Sequence, residues 1–394
     1  MPAPRDLLPA LTPLRFPAAL AAIVVHIGFT EALRLPDGPQ LPPRLWNLWA
    51  GLSFFFVLSG FILTHNYLNE FQKPTAKGVW NFLAARLSRV YPVHVLALLL
   101  MLPVQASLLA GGEFGPPALA VGLQLGFGIA WVPLDTRLAD SFNSPAWSLS
   151  AEWFFYLLLP FLIPALTRGS VARRAAVVAL VLAPWAVAVV LALTGQVGPM
   201  APYRVPAVRA FDFVAGVLLA LWWHRPRAAA VAPPTGARAA LAEFAALALA
   251  VAWFWVLVLR TKRPEVMAIT GWCGIHVPPF LPLIWVLANG RGPLARLLAT
   301  KVPTYLGDIS FALYMLHMPV INYFAYYGHH IGFGGLPWAA RFGCVLGTAL
   351  VFAVACYHLF ELPIRDRLRR AISIKKPKPA VPLIETPPEV RKAA

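Results

Sequence analysis

The chain reads as an all-α polytopic membrane protein with about ten transmembrane helices and both termini cytoplasmic. Three observations carry that reading. Of 394 residues, 59% are hydrophobic and only 12% charged, and the mean hydropathy is +0.68; a soluble domain carries about 25% charged residues. Ten apolar runs are long enough to cross a bilayer. Lys and Arg gather in alternate connections, as the positive-inside rule requires.

The runs lie near 14–33, 46–68, 91–110, 146–166, 172–193, 207–224, 239–259, 266–288, 303–327 and 337–360. The first, "LRFPAALAAIVVHIG", is apolar except for Arg15 and His26. Its length and the runs that follow make it an uncleaved anchor rather than a signal peptide. Arg15 alone fits a snorkelling anchor, and His26 alone fits a core histidine bonded to a carbonyl. The second run holds "GLSFFFVLSGFIL", where Ser59 and Gly60 permit close helix approach. Before the third comes "AARLSRVYP"; on a helix its Arg86 and Arg89, three apart, share a face and suit a phosphate as well as ordinary cytoplasmic charge.

The fourth run begins "SPAWSLSAEWFFYLLLP" at the outer face. Glu152 lies about two turns inside it, near Trp147, Ser148 and Trp153. A carboxylate there needs a partner, a proton or a wet cavity. His26 is expected at similar depth on the same side, which makes it the candidate partner. Runs five to eight are apolar. The ninth holds "LGDISFALYMLHMPV", with Asp308, Ser310, Tyr314 and His317 at roughly helical spacing. The tenth closes in "HLFELPIRDRL", where Glu361 is expected to pair with neighbouring arginines. An eleventh stretch, 117–134, is short and interrupted by Gly122, Gly126, Gly128 and Pro133.

Charge decides its place. If 117–134 does not cross, the cytoplasmic side holds 24 of the 33 Lys and Arg. If it crosses, that count falls to about 13. The first alternative makes residues 1–363 one transmembrane domain and 364–394 a basic, then Pro-rich, cytoplasmic tail. The net charge of +17 is then explained by anionic lipid at the inner face, and no basic soluble domain is left to bind nucleic acid. Cys273, Cys344 and Cys356 all lie in apolar segments without metal-ligand spacing, so they read as packing residues, and no metal site is expected.

Taken in order, "LRFPAALAAIVVHIG", "FFFVLSGFIL", "RLSRVYP", "WSLSAEWFFYLLLP" and "ISFALYMLHMP" resemble integral-membrane acyltransferase family three, across almost the whole chain. That family includes bacterial O-acetyltransferases of O-antigens, exopolysaccharides and Nod factors. The chain departs from the pattern with Phe311 where Tyr is common, and it lacks the hydrolase-like domain some members append. The resemblance implies a multi-pass protein of the bacterial inner membrane with no permanently bound cofactor. It implies a cytoplasmic acyl-CoA donor, acetyl-CoA above all, and an extracytoplasmic glycan or glycolipid acceptor. It carries the family's functional Arg–His and Arg-x-x-Arg motifs onto Arg15, His26, Arg86 and Arg89.

The expected chemistry is direct acyl transfer. Arg86 and Arg89 hold phosphates, Arg15 meets the pantetheine arm, and His26 stands about 16 Å further along the helix at ~1.5 Å per residue. His26 takes the acceptor proton, or is itself acylated, and Glu152 orients its ring. Ser148, Tyr314 and His317 are candidates to bind the oxyanion, and Trp147 to bind substrate. The competing reading is a proton-coupled transporter or flippase, because intramembrane Arg, His and Glu also build relays. The chain shows no inverted repeat.

Overall fold

Helices stand at all ten apolar runs. The computed structural model describes residues 8–29, 48–113, 115–132, 138, 141–196, 202–224, 234–260 and 274–372. Cys273, the first part of the eighth run and the tail past Ile372 lie outside the described residues. Among the described residues there is no strand. The helices are α1 (Arg15–Phe29), α2 (Ala50–Gln72), α3 (Ala76–Ala110), α4 (Pro117–Leu125), α5 (Trp147–Thr167), α6 (Val171–Leu193) and α7 (Pro206–Trp223). There follow α8 (Gly236–Arg260), α9 (Val277–Ala288), α10 (Pro293–Leu298), α11 (Lys301–Tyr327), α12 (Trp338–Cys356) and α13 (Leu362–Ala371).

Among the described residues seven stretches are helical, long and apolar enough to cross a membrane: α2, α3, α5, α6, α7, α8 and the continuous α12–α13. α1 and α9 are apolar but shorter. α11 is long, and Asp308, Ser310 and His317 interrupt its apolar character. The chain is a multi-pass membrane protein.

The bundle is built around α2, most of whose residues are buried. α2 and α7 touch backbone to backbone. A Cβ at Gly60 would overlap the Phe213 carbonyl, and one at Gly216 would overlap that of Val57. Only glycine lets two helices approach so closely, which bears out the small-residue reading of "LSG". Around this seam Phe155 stacks on Phe213 at 4.8 Å and meets Phe56 edge-on at 5.1 Å. α6 and α8 are apolar but mostly exposed, as suits helices whose outer surface is lipid. The buried Glu243 on α8 accepts the backbone N–H groups of Gly292 and Leu294, capping α10.

The 117–134 stretch is too short to cross as a helix. α4 has nine residues, about 13 Å at ~1.5 Å each, against a hydrocarbon core of ~30 Å. It is tied down instead. The Gln124 amide donates to the Ser141 carbonyl at 2.7 Å, and His94 Nε2 donates to the Gln124 carbonyl at 2.9 Å. The Gln105 amide donates to the carbonyl of Phe142, which has φ 53° and marks the turn toward α5.

Candidate functional site

α1, α2, α3, α5 and α11 enclose a cavity of about 170 Å³. Its polar wall is Arg15, Ser59, Asn66, Arg86, Arg89, Ser148, Glu152, Tyr156, Ser310 and Tyr314. Eight of the residues singled out from sequence therefore line one space: Arg15, Ser59, Arg86, Arg89, Ser148, Glu152, Ser310 and Tyr314. Helical spacing explains the α5 wall, since Ser148, Glu152 and Tyr156 are four apart and fall in one row. It also explains the α3 wall, where Arg86 and Arg89 are three apart within one continuous helix. The Arg86 guanidinium carbon lies 6.0 Å from the Tyr67 and Phe82 rings, and its buried Nε has no hydrogen-bond partner among the described residues.

Glu152 belongs to the arginine end of this cavity. Ser59 Oγ donates to its Oε1 at 3.3 Å, Tyr156 stands one turn along the same face of α5, and Arg15 is within electrostatic reach. Among the described residues its carboxylate makes no bond to His26. The expected His26–Glu152 pairing is thus corrected: the ring beside His26 is that of His317, with His26 Nδ1 and His317 Nε2 3.0 Å apart. The error has a physical source. Hydropathy gives spans but not their stagger, and the start of α2 lies beside the first turn of α1, with Gly51 against the Ala18 backbone.

Arg15 and His26 are eleven residues apart, just over three whole turns, so they share a face of α1. Ala19 and Ala22 stand between them on that face and carry only methyl groups. His26 is half-buried, and its ring centroid lies 6.3 Å from that of Trp49. Trp49 meets Tyr203 edge-on at 5.2 Å, and Tyr203 meets Trp147 at 5.1 Å. Trp147, buried, therefore belongs to the aromatic group beside His26 rather than to the cavity wall.

The hydrogen bonds of the two imidazoles fix their tautomers. His317 is fully buried, and its Nδ1 lies 2.6 Å from the Tyr314 carbonyl oxygen. A carbonyl only accepts, so Nδ1 carries the ring hydrogen. Nε2 of the neutral ring is then an acceptor, and His26 Nδ1 donates to it. This places the lone pair of a neutral His26 on Nε2, the arrangement a general base needs. It also corrects the oxyanion expectation for His317, whose hydrogen is held by a backbone carbonyl. Tyr314 Oη donates to Ser148 Oγ at 3.1 Å, and Ser148 Oγ donates to the Pro145 carbonyl at 2.8 Å. In this arrangement both hydroxyls give their hydrogens to partners within the protein.

Other residues of the site escaped the sequence reading. Asn66 and Tyr156 line the cavity with nothing in the sequence to mark them. A buried ion pair, Arg209 to Asp212 at 3.0 Å, holds Tyr203, which lies 5.0 Å from the guanidinium. Its signal was legible, because opposite charges three apart inside an apolar run must pair.

Against known families, the acyltransferase domain of family three matches residues 10–358. The chain is 29% identical to acyltransferase MdmB of Streptomyces mycarofaciens over 373 residues, covering 88% of this chain and 86% of MdmB. It is 30% identical to the exopolysaccharide production protein ExoZ of Rhizobium meliloti over 343 residues, 82% of this chain and 91% of ExoZ. It is 26% identical to the putative peptidoglycan O-acetyltransferase YrhL of Bacillus subtilis, covering 93% of this chain but only 56% of that protein. No solved structure matches the chain. The order of motifs along the helices and a match over nearly the whole length agree: the chain belongs to acyltransferase family three.

Proposed function

We propose that this chain is a membrane O-acyltransferase of the bacterial inner membrane. It moves an acyl group, acetyl above all, from cytoplasmic acyl-CoA to a hydroxyl of an extracytoplasmic glycan or glycolipid. In this reading the chain crosses ten times, with both termini cytoplasmic, and no cofactor is permanently bound. The observation that carries the reading is continuity. The cavity begins at Arg86, Arg89 and Arg15 and ends at Ser148 and Tyr314, and one turn beyond Tyr314 is the His317–His26 pair.

The donor's phosphates rest on Arg86 and Arg89 as charge-assisted contacts. Its arm runs along the α1 face that carries Arg15, Ala19, Ala22 and His26, toward the outer end. Glu152 keeps the arginine end from being wholly cationic and, with Ser59 and Tyr156, offers hydrogen-bond partners to the amides of the arm. At the far end His26 Nε2 takes the proton of the acceptor hydroxyl as its oxygen attacks the thioester carbonyl. The tetrahedral adduct expels the CoA thiolate, which recovers the proton from His26. His317 accepts the His26 Nδ1–H throughout and so steadies the imidazolium, the role a carboxylate fills in other triads.

The test uses the purified chain with acetyl-CoA and a panel of bacterial envelope oligosaccharides. Acetyl esters read by mass spectrometry should appear on at least one glycan, in step with release of free CoA thiol. No ester on any glycan, with substrate movement across sealed vesicles instead, would favour transport and overturn the proposal.

A further inference from the structure

The cytoplasmic tail does not begin as loose chain. A π-helical turn, Tyr357–Glu361, joins α12 to α13 in one continuous helix, and α13 packs against α3. Such turns recur at functional sites. On α13, Arg365 and Arg369 are four apart and share the half-buried face, while Asp366, Arg367 and Arg370 are exposed. That face brings Arg369 within electrostatic reach of Arg365, Arg86 and Arg89. The carboxylates facing the group are Glu361 and Asp308, each within reach of Arg89 and Arg365. Asp366 lies 3.5 Å from Arg365 Nε. Even so, the buried Nε atoms of Arg86 and Arg369 have no hydrogen-bond partner among the described residues. Four guanidiniums gathered at half-buried positions repel one another unless an anion joins them.

We propose that α13 is part of the donor site, and that Arg365 and Arg369 complete with Arg86 and Arg89 a four-arginine cradle for the phosphates of acyl-CoA. The proposal rests on the donor reading above. Two helices distant in sequence then hold one polyphosphate, and the planar donors of arginine fit its oxygens in a way that lysine does not. Anionic lipid headgroups offer the same phosphate chemistry, so the experiment must separate the two sources.

The full-length chain in phosphatidylcholine nanodiscs, free of anionic lipid, is titrated with CoA and with pantetheine, which ends before the phosphates. Arg365→Gln and Arg369→Gln should each weaken CoA binding roughly tenfold or more. Pantetheine binding should stay within about twofold of wild type, as a misfolded or rearranged site would not allow. Lysine at either position should restore part of the loss. Equal weakening of both ligands, or no change in either, would overturn the role of α13. A loss of activity seen only in nanodiscs containing anionic lipid would assign the arginines to the membrane and overturn it too. Wild-type protein that binds no CoA would sink the donor reading itself, a result distinct from unchanged variants of a wild type that does bind.

Discussion

His26 and His317 face each other on α1 and α11, and a backbone carbonyl of α11 decides which nitrogen of each carries hydrogen. This makes His317 a positioning residue with a specific substitution pattern. His317→Gln keeps an acceptor for the His26 Nδ1–H, whereas His317→Leu removes it and frees His26 to adopt the unproductive tautomer. His317→Leu should lower kcat on the order of a hundredfold with little change in KM for acetyl-CoA, and His317→Gln should recover part of it. A merely structural role would move KM and stability as much as kcat. His26→Ala should cost about 10²–10⁴-fold in transfer, the range of a positioned base, while CoA binding persists. A steady-state comparison of the four proteins, with CoA affinity measured alongside, checks both expectations.

At the level of elements, the α2–α7 seam fixes the wall that presents Ser59, and it tolerates nothing beyond hydrogen at Gly60 and Gly216. Gly216→Ala places a methyl group against a backbone carbonyl, which cannot rotate away. A loss of about 3 kcal/mol is expected, at the upper end for overpacking. Gly347→Ala on α12 is the control: nothing lies within 4 Å of its Cβ, and helix propensity favours alanine by up to ~1 kcal/mol. Thermal unfolding in detergent should show a lowered midpoint for the first and an equal or raised one for the second.

Much of this scale was legible beforehand, because an apolar run of bilayer length has few alternatives to a helix. Among the described residues each of the ten runs holds a helix, and the Arg86–Arg89 spacing and the glycine of "LSG" carried their structural meaning directly. What could not be read was contact between distant segments. Composition does not encode how far one helix slides along another, so His26 was matched with Glu152 instead of His317. Arg365 and Arg369 read as tail charge because nothing local reveals that α13 packs against α3. The positions of Asn66 and Tyr156 at the cavity follow from packing alone.

For the whole molecule, the account requires a cytoplasmic mouth at the arginines and an extracytoplasmic one near His26. Lys77 and Glu113 are exposed near opposite ends of α3 and report the two sides. In intact cells an impermeant thiol reagent should label Glu113→Cys and miss Lys77→Cys. The reverse pattern would invert the topology and, with it, the side from which donor enters.

The most direct test joins sidedness to chemistry. Inverted and right-side-out membrane vesicles from cells producing the chain are given acetyl-labelled acetyl-CoA in the outer medium only. Inverted vesicles, whose cytoplasmic face meets the donor, should pass label into glycan enclosed in the lumen. Right-side-out vesicles should not, and neither should inverted vesicles carrying His26→Ala. Label acquired by right-side-out vesicles, or a wild-type rate in the His26→Ala vesicles, would contradict the account.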